Sequence, residues 1–154
     1  MKKKRDTNNI KGQSLFEVVL ALGVITAISV GIVSLTVNAI RNASFSKNKT
    51  LAGRYAQEAT EWLRSQRDTD FDVFQDNILV SPRCFPSLVW TGRVGSCGAT
   101  DNISGTPLFR IIEFSSTTIS GKTVIEASVK VYWDDSQGYH EVKSTTSYTD
   151  WRQR

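Results

Sequence analysis

The sequence predicts an α+β fold, in which one long N-terminal helix packs its distal half on a small antiparallel β-sheet. Three observations lead there. Residues 13–40 are apolar with a single charge, Glu17. Residues 41–70 keep a helical period, and no proline occurs before Pro82 to break the helix. After Pro107 the period changes to alternation, the mark of half-buried strands.

The first zone, residues 1–12, is short, polar and basic. Lys2, Lys3, Lys4, Arg5 and Lys11, offset by Asp6, place the whole formal charge of +4 in these twelve residues. Removing those five bases and that one acid from totals of 19 and 15 leaves 14 of each sign, so the rest of the chain is neutral. The basic pI therefore describes a leader, and it argues against a nucleic-acid-binding body.

From Val18 to Ile40 no ionisable side chain appears for 23 residues. As a helix this run reaches roughly 34 Å at 1.5 Å per residue, enough for a hydrocarbon core of about 30 Å. Leu51, Tyr55, Ala59, Trp62 and Leu63 then recur at steps of three and four, with polar residues on the other faces. The expectation is one helix from about 13 to 68, apolar all round in its first half and amphipathic in its second.

Residues 71–107 hold all three prolines and both cysteines, which predicts irregular structure with a short strand or two. Three strands are expected beyond: Leu108–Ser115, Thr123–Trp133 and Tyr139–Tyr148. In the middle one, Ile125, Ala127, Val129, Val131 and Trp133 share one face, and Val124, Glu126, Ser128, Lys130 and Tyr132 the other. Asp134 to Gly138 reads as a five-residue hairpin loop. The expected domains are a leader at 1–12, a transmembrane half-helix at 13–40 and a globular part at 41–154, without internal repeats.

Basic residues before an apolar stretch orient it with its N-terminus in the cytoplasm. A cleaved secretory signal fits poorly, because the run is long and Val37-Asn38-Ala39 is a weak cleavage site. Neither that nor a plain anchor explains Glu17, since a lone carboxylate at a membrane segment costs energy and calls for a partner.

Lys11-Gly12-Gln13-Ser14-Leu15-Phe16-Glu17, followed by VVLALGVITAI, resembles the class III signal of type IV prepilins and pseudopilins. The resemblance implies the type IV pilin fold and a membrane-embedded prepilin peptidase that cuts between Gly12 and Gln13 on the cytoplasmic side, then methylates the Gln13 amine. Glu17 becomes the fifth mature residue. In a filament core of low dielectric it would face the Gln13 amine of a neighbouring subunit and set axial register. The first mature residue is Gln13 rather than an aromatic one. The helix carries Gly23 and Gly31 where many major pilins have a proline. Both departures point toward a minor subunit. Tyr55 to Asp68 is similar to the corresponding helix of PilV-type minor pilins, and the strand–acidic turn–strand ending near Asp150-Trp151 is similar to the same group. Read without the resemblance, Glu58, Glu61, Arg64 and Arg67 are solvated helix charges in weak pairs.

The implied partners are prepilin peptidase, other pilin subunits and the pilus assembly machinery in the membrane. The implied location is the cytoplasmic membrane, with a single pass and the N-terminus inside, followed by an extracellular filament. A pseudopilin of a secretion or competence system and a monomeric membrane-anchored binding module remain as alternatives.

Cys84 and Cys97 follow the span, outside the cytoplasm by this orientation, so a disulfide is expected. Twelve residues lie between them, and closing such a loop stabilises by about 3 kcal/mol. Phe85, Pro86, Trp90 and Val94 inside it either pack on the sheet or form an aromatic patch. Two cysteines and the distant His140 do not supply a zinc site. Asp68, Asp70, Asp72 and Asp76 cluster without the glycine and terminal glutamate of an EF-hand loop. Neither a metal nor another cofactor is expected. His140, Ser136 and Ser144 stand at no catalytic spacing, and no phosphate-loop, dinucleotide or zincin motif occurs, so no enzyme is expected.

Overall fold

The computed structural model describes residues 15–119, 121–150 and 152. The processing residues Gly12 and Gln13 lie outside them. Helix α1 runs Leu15–Thr69 and helix α2 Phe71–Ile78. The strands are β1 (Arg83–Cys84), β2 (Phe109–Ile119), β3 (Lys122–Asp135) and β4 (Gly138–Thr149). They form one antiparallel sheet in the order β1-β2-β3-β4. The layout is α+β, as the periods require. By its contacts the chain divides into two units, one up to Ser44 and one from Phe45 onward.

In the first unit every described residue of α1 is exposed. In the second, α1 buries Ala52, Ala56, Ala59, Thr60 and Leu63. The stripe that the sequence suggested is shifted: Leu51, Tyr55 and Trp62 are half-buried at its margin, and alanines form its centre. Small side chains at the contact line let a helix and a sheet approach closely, while large residues wrap the edges. The sheet presents Ile112, Ile125, Ala127, Val129, Val131, Trp133 and Tyr148 to this core. On β3 the buried face is the one expected from alternation. The Tyr148 hydroxyl donates to the Thr60 carbonyl at 3.0 Å, tying β4 to α1.

Three expectations need correction. The segment after α1 is not wholly irregular, because α2 occupies Phe71–Ile78. Asp70, in an extended conformation that ends α1, caps it by accepting from the Asp72 and Val73 amides at 3.0 and 3.1 Å. Phe71, Phe74 and Ile78 then bury one face. Eight residues are too few for a periodic signal to stand out beside three prolines.

Strand β2 continues to Ile119 rather than ending at Ser115, paired throughout with β3. Its last five residues are exposed Ser, Thr and Ile, so no buried face announced them. The β3–β4 connection is a two-residue turn, with Asp135 paired to Gly138, rather than a five-residue loop. Gly138 adopts φ 111°, a region open to glycine at little cost, and this allows the tight reversal. The Asp135 carboxylate accepts from the Gln137 amide at 2.8 Å across it.

Candidate functional site

Glu17 lies in the first turn of α1. An acidic group at a helix N-terminus is favoured by the unpaired amides there. Around it on the same surface stand Val18, Ala21, Leu22 and Ile25. The surface stays apolar from there: Leu15 is 83 % exposed, Val30 70 % and Leu35 72 %. Its polar side chains are turned inward on the helix itself. Thr26 donates to the Gly23 carbonyl at 2.8 Å, Ser29 to Ile25 at 2.8 Å and Thr36 to Ile32 at 2.9 Å. These hydroxyls keep a partner without water. The helix is long and apolar enough to cross a membrane. Apart from Glu17, which carries the one charge of the run, its surface offers hydrocarbon.

The second sequence-predicted pair is brought together. Cys84 and Cys97 form a disulfide, with Cα atoms 5.1 Å apart. The loop is held at its base by the Cys84 amide donating to the Arg93 carbonyl at 2.7 Å and the Gly95 amide to Pro82 at 2.8 Å. Gly92 is needed there, since a Cβ would stand 2.2 Å from the Cys84 carbonyl oxygen. Of the loop's apolar residues, Phe85 is fully buried and Trp90 packs against Trp62 with ring centroids 4.8 Å apart. The Trp90 indole donates to the Gln66 side chain at 2.9 Å. Val94 remains exposed. Packing is therefore the role of the two aromatic residues, and no free aromatic patch forms from them.

Arg110 was missed. It is 2 % exposed, and its guanidinium donates to the Phe85 carbonyl at 3.1 Å and the Tyr55 carbonyl at 3.3 Å. It also meets Glu58 at 3.4 Å. Burial pushes its pKa down, and the Glu58 carboxylate pushes it back up. Glu58 is thus the outer partner of a buried cation rather than a merely solvated charge. The signal was available: a lone arginine within the apolar run Leu108-Phe109-Arg110-Ile111-Ile112. Arg110 links α1, the disulfide loop and β2 at one point.

The remaining charges are local. Glu61 pairs with Arg64 at 2.7 Å on the exposed helix surface, and Arg67 pairs with Asp68 at 2.7 Å while its guanidinium stands over the Tyr148 ring. Among the aspartates, Asp70 serves as the cap of α2. No group of three or more potential ligands that could hold a metal occurs among the described residues. His140 is wedged between the Phe45 and Trp133 rings and contacts Asp135 at 3.0 Å. The Gln137 amide first, and then this imidazole, hold the Asp135 carboxyl below its ordinary value.

No family model, curated protein or solved structure matches this chain.

Proposed function

We propose that the chain is a minor subunit of a type IV pilus or a related filament, processed between Gly12 and Gln13 and assembled through α1. The observation that carries this reading is the exposed apolar surface of α1 with one carboxylate, Glu17, in its first turn. A simple anchor gains nothing from that carboxylate, whereas a bundle of identical helix starts can pair it with a neighbour's amine. The basic residues before Gly12, the satisfied hydroxyls of the helix and the disulfide of the second unit all fit a subunit that leaves the cytoplasm. In this reading the second unit has the type IV pilin fold and faces outward, and prepilin peptidase and the assembly machinery act on the leader and the helix.

Mass spectrometry of the chain from its native membrane tests the proposal. A mature N-terminus at a methylated Gln13 is expected, and an intact Met1 start would sink it. Glu17→Ala should leave cleavage intact and deplete the subunit from sheared filaments. An unprocessed chain that stays in the membrane and off filaments would favour the anchored binding module.

A further inference from the structure

Between Glu17 and Glu58 the charged residues are Arg41, Lys47, Lys49 and Arg54, all basic. All four are exposed, and no ion pair engages them among the described residues. The nearest acid along α1, Glu58, is taken by Arg110. Lys49 only passes its ammonium over the Phe45 ring, 5.8 Å from the centroid. Asn42, Ser44, Ser46, Asn48 and Thr50 fill the intervals, so the stretch after Ile40 is basic and rich in hydrogen-bonding groups.

Bases at this end of a span oppose the orientation that the leader sets, because flanking lysines and arginines are retained on the cytoplasmic side. Five bases precede the apolar run and four follow it within fourteen residues, so the second group weakens the orientation. Such a group needs a compensating partner, and the protein supplies no anion. Where a polypeptide leaves hydrocarbon, the next layer is phosphate. We infer that Arg41, Lys47, Lys49 and Arg54 bind the phosphate groups of anionic lipids on the membrane face from which the second unit emerges. The inference rests on the membrane-spanning part of the proposed function and not on filament assembly. It gives the subunit a defined depth in the bilayer before any partner takes it up. Each base near an anionic surface strengthens its binding about fivefold.

The full chain, reconstituted in vesicles of phosphatidylcholine alone or mixed with phosphatidylglycerol, allows a direct test. Acylation by a membrane-impermeant reagent is followed by mass spectrometry at Lys47 and Lys49, with Lys143 on β4 as internal reference. Phosphatidylglycerol should slow Lys47 and Lys49 about fivefold relative to Lys143. The protection should vanish in 1 M salt, where the Debye length is about 3 Å. Equal rates in the two vesicles would overturn the inference. Protection that follows protein-to-lipid ratio rather than lipid charge would also overturn it, in favour of a second copy covering the bases. A chain released by alkaline carbonate marks a different failure, that of the span itself.

Discussion

Helix α1 is one element held for two different reasons. Up to Ser44 all its described residues face outward and its hydroxyls bond back to its own carbonyls. From Phe45 on, a line of alanines closed by Leu63 lies against the sheet. In the first region helix is favoured because any unpaired backbone group in hydrocarbon is costly. In the second, burial of one stripe fixes it. The same substitution should therefore have opposite consequences in the two regions.

The largest expected effect tests that contrast directly. Leu63→Ala removes a fully buried side chain and should cost about 2–5 kcal/mol of unfolding free energy. Leu20→Ala, on the bare surface, should stay within about 0.5 kcal/mol. All four tryptophans lie at or beyond residue 62, so tryptophan fluorescence in urea, on detergent-solubilised chain, reports the second unit alone. Equal losses in the two variants would break the comparison.

The next effect sharpens it. Replacing Cys84 and Cys97 together by serine should cost about 3 kcal/mol by the loop-closure argument, seen again in the tryptophan transition. Helical circular dichroism from residues 15–44 should persist after that transition is complete. Loss of both signals at one urea concentration would mean that the two regions unfold as one.

How much of this was legible follows from the same contrast. The apolar run is a composition signal, unaffected by tertiary context, and α1 and Glu17 emerge from it nearly as read. The β3 faces were readable because strict alternation left one partition. The stripe on α1 was misplaced by a residue or so because Leu51, Tyr55 and Trp62 outrank alanine on any apolarity scale, although alanine is what a close helix–sheet contact selects. Helix α2 rests on one capping carboxylate and three apolar residues, too short a pattern to separate from turn-forming neighbours. The Arg110–Glu58 contact joins residues 52 positions apart, and no local pattern pairs them. The processing site stands on its motif alone, since Gly12 and Gln13 lie outside the described residues.

The smallest effect concerns pH and again falls on one region. All four tyrosines lie beyond residue 54. The Tyr139 phenol is pushed up to about 12, first by partial burial and then by its hydrogen bond to Glu141 at 2.8 Å. Between its ordinary value of 10.0 and about 12, the unfolded chain releases this proton while the folded one retains it. The folded state then binds more protons, so stability must fall as pH rises through that window. Tyr132 and Tyr148 are shifted upward as well, each chiefly by burial, and act in the same direction. Tyr139→Phe should therefore make the alkaline decline of the urea midpoint shallower without abolishing it, and leave neutral-pH stability nearly unchanged. An unaltered alkaline slope would show that the Tyr139–Glu141 contact does not persist in solution. Any alkaline loss of helix confined to residues 15–44 would need another cause, because that region contains no tyrosine.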